Sequence, residues 1–276
     1  MSGDAVGAAV GAERATVAVA FERRGQRARA EALAQRLGLP VAKGFRDPHD
    51  LHLLLTRDDR LGLRVNAHAH PESPLAGGRA VSADLLGIDV DSGAGRSLRG
   101  PLLRAVGIKR GDGYRPRVLD ATAGFGGDAW LLAAAGCVVD AVERDPVMHA
   151  LLEDALERAR ATGAEPARRL RLHHADAASW LTGALEGGGG ARPEVVVLDP
   201  MFPPGRKTLE KKPLRLARWL VGNAEPDGSV LFRAAAGAAS RRVVVKRPRR
   251  APGLVQHPPP AHAYQGRGFR FDIYPV

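Results

Sequence analysis

The sequence predicts an α/β fold, a mostly parallel sheet covered by helices, preceded by a small α+β region. Three observations carry this expectation. From about residue 100 onward, short apolar runs of strand length alternate with stretches of helical periodicity, the pattern of parallel strands joined by helical crossovers. A glycine-rich turn, Gly124-Phe125-Gly126-Gly127, sits between the first of those strands and its helix. Three of the strands run into an acid: Asp120, Glu143 and Asp199.

Residues 16–21 read as a strand and 27–37 as a helix, which Gly38 and Pro40 end. Residues 51–56 and 61–66 read as two strands around the turn Arg57-Asp58-Asp59-Arg60. A loop rich in His, Pro and Gly follows at 68–78, and 85–90 reads as a further strand. These elements set residues 1–98 apart as the small α+β region, with the larger domain at 99–276.

In the larger domain, 117–121 is a strand, 128–135 a helix, and 137–142 a strand ending at Glu143. Residues 146–161 form a strong helix, with Pro146 in its first turn and Val147, Leu151, Leu152, Ala155 and Leu156 at helical spacing. A short strand at 170–173 and a helix at 177–185 come next. Four glycines, 187–190, read as a flexible connection. Residues 194–198 form a strand running into Asp199. Helices at 214–221 and 230–239, a strand at 242–246 and a closing strand at 269–274 complete the pattern, with 261–264 pairing back across Gly266 and Gly268. No repeat of fixed period is visible.

Composition narrows the function. The chain has 276 residues, 45% of them hydrophobic, enough for a sizeable core. Lys and Arg number 41 against 30 Asp and Glu, a net charge of +11, which points to a polyanionic partner, RNA or DNA before an anionic membrane. The single cysteine, Cys137, excludes a disulfide framework or a cysteine zinc site within the chain, and its apolar surroundings suit a buried small hydrophobe in a reducing compartment. The first twenty residues carry Asp4, Glu13 and Arg14 and do not read as a targeting signal. No uncharged apolar run approaches a membrane span, so a cytoplasmic protein without a membrane partner is expected. The histidines, His68, His70, His173 and His174 among them, show no metal-ligand spacing, and no metal is expected.

The chemistry is carried by four loops that follow strands. Asp120-Ala121-Thr122-Ala123-Gly124-Phe125-Gly126-Gly127-Asp128 would let the backbone turn sharply and approach a nucleotide-type cofactor closely. Glu143, about 20 residues beyond, can accept hydrogen bonds from both ribose hydroxyls of an adenosine. Asp176 could receive an adenine amino group, or serve as the N-cap of the helix that begins at Ala177. The fourth loop, Asp199-Pro200-Met201-Phe202-Pro203, looks like the (Asp/Asn)-Pro-Pro-(Tyr/Phe) signature of amino-methyltransferases, with Met201 in place of the second proline. Asp199 and the Pro200 carbonyl can accept the two N–H bonds of an exocyclic amine, and Phe202 offers a flat face to an extruded base. Basic residues flank this loop: Arg206, Lys207, Lys211, Lys212, Arg215 and Arg218 follow it, and Arg241, Arg242, Lys246, Arg247, Arg249 and Arg250 cluster around the 242–246 strand. They suit a phosphate backbone.

Asp120 to Asp128, Val142-Glu143-Arg144-Asp145-Pro146, Leu198 to Pro203, Val243 to Pro248 and Phe271-Asp272-Ile273-Tyr274 occur in that order, after Arg104 to Lys109. Together they resemble the RsmJ family, bacterial enzymes that methylate guanine N2 in 16S ribosomal RNA. The resemblance covers residues 96–276 and implies a Rossmann-like class I methyltransferase sheet. It implies an S-adenosylmethionine site that includes Gly127, Asp128, Glu143, Arg144, Asp176, Ala177 and Asp199, beside Asp120, Gly124 and Gly126 of the loop. Gly127 stands where the family often has Arg, and Asp176-Ala177 where small hydroxyl residues are common. The expected activity is methyl transfer from S-adenosylmethionine to guanine N2, with 16S RNA or the assembled small subunit as partner. The rival readings are an amino-methyltransferase acting on DNA or protein, a nicotinamide-cofactor oxidoreductase, and a non-catalytic RNA-binding protein.

Overall fold

The computed structural model describes residues 14–91, 97–109, 111–186, 192–201, 211–222 and 228–276. Its elements run β1 (Val17–Phe21), α1 (Arg27–Leu37), β2 (Leu51–Leu55), β3 (Leu61–Val65), α2 (Pro101–Ala105), β4 (Arg117–Asp120), α3 (Gly127–Ala134), β5 (Val138–Glu143) and α4 (Pro146–Ala161). There follow α5 (Glu165–Arg169), β6 (Leu170–His174), α6 (Ala177–Glu186), β7 (Val195–Leu198), α7 (Lys212–Val221), α8 (Gly228–Ala238), β8 (Arg242–Pro248), β9 (His262–Gln265) and β10 (Phe269–Pro275). The chain forms two compact units. One comprises Met1–Ala83, Pro146–Ala155 and Met201–Glu225; the other Asp84–Asp145, Leu156–Pro200 and Pro226–Val276.

The first unit holds a three-stranded sheet of order β1-β2-β3, in which β1 and β2 are parallel and β2 and β3 antiparallel. Helix α1 makes the crossover and stops at Gly38, whose φ of 65° is the left-handed conformation that glycine adopts without steric cost. In the β2–β3 turn, Asp59 itself takes a φ of 60°. The amide of Gln26 holds this turn by donating to the Thr56 carbonyl (2.7 Å) and to Asp59 Oδ1 (2.8 Å). The N-terminal half of α4 belongs to this unit: Arg36 pairs with Glu153, Arg29 with Asp154, and Asp154 Oδ2 accepts the Leu61 N–H at 3.2 Å.

The second unit is built on a seven-stranded sheet of order β6-β5-β4-β7-β8-β10-β9. Strands β4 to β8 are mutually parallel, while β10 runs antiparallel to both β8 and β9. Strand β7, Val-Val-Val-Leu, is buried along its whole length, as a strand covered on both faces should be. Leu119, Val142, Val196, Leu198, Val243, Val245, Phe232 and Tyr274 form the adjoining core. From β4 the chain winds outward through β5 to β6, then crosses back to place β7 on the opposite side of β4. The ends of β4 and β7 therefore flank a topological switch point, where open α/β sheets leave a crevice for ligands.

Residues 85–90, expected as a strand, form a turn instead. Asp84 Oδ1 accepts the Gly87 N–H and the Leu85 carbonyl accepts the Ile88 N–H, both at 3.3 Å. Asp and Gly at turn spacing prevail over the apolar run, while Leu85 is still buried. The connection at 187–190 lies outside the described residues. Among the described residues no helix is long and apolar enough to cross a membrane, and no group of three or more His, Cys, Asp or Glu is arranged to hold a metal ion.

Candidate active site

The loop after β4 closes tightly. Ala123 N–H bonds to the Val142 carbonyl of β5 (3.0 Å), and Gly126 N–H to the Ala123 carbonyl (2.7 Å). Gly124 and Gly126 take φ values of 53° and 74°, conformations that side-chain-bearing residues rarely adopt. A side chain at Gly124 would meet nothing nearer than the Thr122 carbonyl at 4.0 Å, so its absence leaves open space beside the loop. Gly126 precedes α3, and Gly127 and Asp128 form its first turn, where an acid is favoured by the helix dipole.

Glu143 ends β5 with its carboxylate against this loop: Oε2 accepts the Gly124 N–H at 2.9 Å and Oε1 the Asp145 N–H at 2.8 Å. Burial pushes its carboxyl above the ordinary range, and those backbone donors pull part of the way back. Arg144 is exposed, and its carbonyl accepts from His174 Nε2 at 3.2 Å. Asp176 caps α6: its Oδ1 accepts from both the backbone N–H and the hydroxyl of Ser179, each at 2.9 Å. Ala177 beside it is buried.

Asp199 follows β7 directly. Its N–H donates to Thr122 Oγ1 at 2.7 Å, which joins the end of β7 to the β4 loop. Its Oδ2 accepts from Lys246 Nζ at 2.7 Å, and the same ammonium donates to Asp128 Oδ2 at 2.7 Å. Burial disfavours the charged ammonium, but Asp128 and Asp199 outweigh it and hold Lys246 above its usual value. Asp120, 3% exposed, lies in the same cluster with the Thr122 N–H on its Oδ1 at 3.2 Å. Burial, then the charge of Asp128, push its carboxyl up to about 7. Pro200 is buried, and Phe202, like Pro203, Arg206 and Lys207, lies outside the described residues.

The structure thus joins Asp120, Gly124, Gly126, Asp128, Glu143 and Asp199 through one set of hydrogen bonds and charges, with Gly127 in the same loop. Lys246 and Thr122 were not singled out from sequence. Lys246 counted there as one of a basic cluster facing phosphate. Instead it turns inward, as does Arg247, which is 7% exposed and donates through Nε to the Pro252 carbonyl at 2.9 Å. The available signal was that Lys246 directly follows three valines, a charge continuing a run that reads as buried on both faces.

The donor set fits S-adenosylmethionine. A glycine loop with open space borders a buried carboxylate suited to ribose hydroxyls. Three carboxylates around one ammonium leave negative charge for a ligand that carries a sulfonium and an amine. Replacing Glu143 by alanine is expected to weaken S-adenosylmethionine binding about 10- to 100-fold, the scale of losing hydrogen bonds to a charged group. Titration calorimetry returning an unchanged Kd would remove that role.

Asp120 gives a pH signature. Its folded value, about 7, lies above the ordinary 3.8, so the folded state binds the proton more tightly. Wild-type stability is therefore lost as pH rises from about 4 to 7. Asp120→Asn should flatten that dependence and melt higher than wild type at pH 8, with the difference vanishing below pH 4; parallel melting curves would contradict the assignment.

A seven-stranded sheet of this order, with an acid-ended glycine loop and Asp-Pro at its switch point, defines a Rossmann-like S-adenosylmethionine-dependent methyltransferase. The SAM-dependent methyltransferase family model matches residues 32–276. A solved SAM-dependent methyltransferase from Neisseria gonorrhoeae superposes with a TM-score of 0.64 at 27% identity, covering 94% of this chain and 96% of that one. Curated relatives named ribosomal RNA small subunit methyltransferase J include one from Thioalkalivibrio sulfidiphilus, 44% identical over 90% of this chain and 93% of its own length. Another, from Pseudomonas aeruginosa, is 48% identical over 63% of this chain, a match spanning 65% of that relative. The chain belongs to the ribosomal RNA small subunit methyltransferase J family within the SAM-dependent methyltransferases.

Proposed function

We propose that this chain methylates the exocyclic N2 of a guanine in small-subunit (16S) ribosomal RNA, using S-adenosylmethionine, in the bacterial cytoplasm. The observation that carries the reading is Asp199-Pro200, set at the switch point with its backbone bonded to the cofactor loop and its carboxylate fixed by Lys246. The names and coverage of the curated relatives support the choice of RNA and subunit. The net charge of +11 supports a polyanionic partner.

Bound S-adenosylmethionine supplies an electrophilic methyl group on a sulfonium. Glu143 would accept hydrogen bonds from the ribose hydroxyls, and Asp120 and Asp128 would supply acid toward the cationic end. Asp199 and the Pro200 carbonyl accept the two N–H bonds of the guanine amine, which turns the nitrogen lone pair toward the methyl. N2 is a poor nucleophile because that lone pair is delocalised into the ring, so orientation supplies much of the rate. The same acceptors stabilise the positive charge that develops on nitrogen. The sequence motif assigns Phe202 the role of offering a flat face to the base. Asp176, Ala177 and Arg144 complete the cofactor site, and residues 99–276 form the methyltransferase domain with 1–98 as its appendage.

The test is incubation of the full chain with labelled S-adenosylmethionine and separate pools of unmodified small subunits, naked 16S RNA, DNA and protein, followed by mass mapping. One methyl on a guanine of the subunit or its RNA is the expected result. Label confined to DNA or protein would replace the substrate. Binding of a nicotinamide cofactor without any transfer would replace the reaction.

A further inference from the structure

Lys246 is the one cation described among three acids of this site, and it bridges two of them. Its Nζ lies 2.7 Å from both Asp128 Oδ2 on α3 and Asp199 Oδ2 after β7, with the Phe269 ring of β10 at 5.7 Å. Its side chain is 18% exposed, so the attraction is only partly screened by water. Asp128 and Asp199 are 71 positions apart in the chain (199 − 128), on elements that share no backbone ladder, and the ammonium fixes one carboxylate against the other.

We infer that Lys246 is a positioning residue for methyl transfer: braced by Asp128, it locks the orientation of the Asp199 carboxylate and keeps it ionised while the amine is held. The inference rests on the proposed role of Asp199 as amine acceptor. It also fixes where the proton goes. As the new C–N bond forms and the sulfonium S–C bond breaks, the electron pair stays on sulfur and the nitrogen becomes cationic. A carboxylate already paired with an ammonium is a weak base, so Asp199 stabilises that charge as an acceptor and the proton leaves to water.

Among the described residues, the charged groups facing Asp199 include Lys246 on β8, Asp128 on α3 and Asp120 at the end of β4. Removing Lys246 takes away the cation that lies between Asp128 and Asp199. The affinity of Asp199 for a proton then rises, and the ionised acceptor is lost at a higher pH.

The experiment compares full-length wild type, Lys246→Met, Lys246→Arg and Asp128→Asn. Lys246→Met is expected to lower kcat at pH 7 about 100-fold, the scale of a misplaced catalytic group. KM for RNA should change little. The acid limb of its kcat–pH profile should move up by about one to three pH units. Lys246→Arg should restore the acid limb while recovering only part of kcat, since a planar guanidinium keeps the charge but not the point geometry. Asp128→Asn should lower kcat without moving the acid limb upward, because it removes a neighbouring negative charge and leaves Lys246 on Asp199. A carbon-13 titration of the aspartate carboxyls, which needs no turnover, should show the resonance that Asp199→Ala removes titrating at higher pH in Lys246→Met than in wild type, beside upward shifts of Asp128 and Asp120, which Lys246 also faces. If Lys246→Met does not fold, the arginine and asparagine variants carry the comparison. Wild-type kcat and an unmoved acid limb in folded Lys246→Met would overturn the inference, as would an arginine variant whose acid limb stays shifted. If wild type fails to methylate RNA while the carboxyl titration still moves, the functional reading falls and the inference keeps only the pairing of Lys246 with Asp199; if wild type methylates RNA and the titration does not move, the inference falls alone.

Discussion

Asp199→Ala is expected to reduce methyl transfer to background, a loss in kcat of at least about 10²–10³-fold, while S-adenosylmethionine still binds. The magnitude follows from removing a fixed electrostatic partner of the transition state, which in enzymes generally costs that much. Binding survives because Glu143 and the glycine loop make their contacts independently of the Asp199 side chain: Glu143 accepts from Gly124 and Asp145. The Asp199 bond to Thr122 uses the backbone N–H and is retained in alanine. Single-turnover transfer to small-subunit RNA, measured beside a calorimetric Kd for the cofactor, decides the matter. Transfer at the wild-type rate would remove Asp199 from the mechanism. Loss of cofactor binding to the same degree as loss of transfer would make it a cofactor ligand instead.

The second large effect concerns stability. Asp272 of β10 is fully buried and accepts two bonds from Arg270, to Nε at 2.7 Å and to Nη2 at 3.0 Å. Nη1 of the same guanidinium donates to three carbonyls at the end of β8 and just beyond it, those of Pro248 (3.1 Å), Arg249 (2.9 Å) and Ala251 (2.8 Å). Arg270→Met leaves the Asp272 carboxylate uncompensated in the interior and frees three carbonyls. The expected cost is about 3–5 kcal/mol, a fall in melting temperature of roughly 10 °C. Adding Asp272→Asn to that variant should recover part of the loss, since it removes the unpaired charge. A melting temperature within a degree of wild type for Arg270→Met alone would show that the pair contributes nothing.

Most strands and long helices were legible because each reports its own environment. The valines of β7 and β8 announce burial on both faces, and α4 carries its period over sixteen residues. The short helices α2 and α5, five residues each, show too little periodicity to read, though Pro lies in the first turn of both. The apolar run 85–90 misled for the opposite reason: its burial is real but its backbone belongs to a turn. In the site, Glu143 and Asp199 were visible because strand ends point at the crevice of such sheets. Thr122 and Lys246 were not, because their roles exist only between distant residues. Thr122 meets Asp199 77 positions away, and Lys246 meets Asp128 across 118. Local pattern cannot carry a pairing of that separation, and a lysine among arginines reads as surface charge until the sheet turns it inward.

The hydrogen bond from the Asp199 N–H to the Thr122 hydroxyl ties the residue after β7 to the loop after β4. On the proposed roles, in which that loop holds the nucleoside and Asp199 holds the acceptor amine, ordering of the loop by one ligand would be felt at the site of the other. Linkage is reciprocal: whatever factor the methyl donor adds to the affinity for the base, the base adds to the affinity for the donor. With a favourable coupling, the demethylated donor seated in the loop would help retain the modified base, and departure of either product would loosen the other.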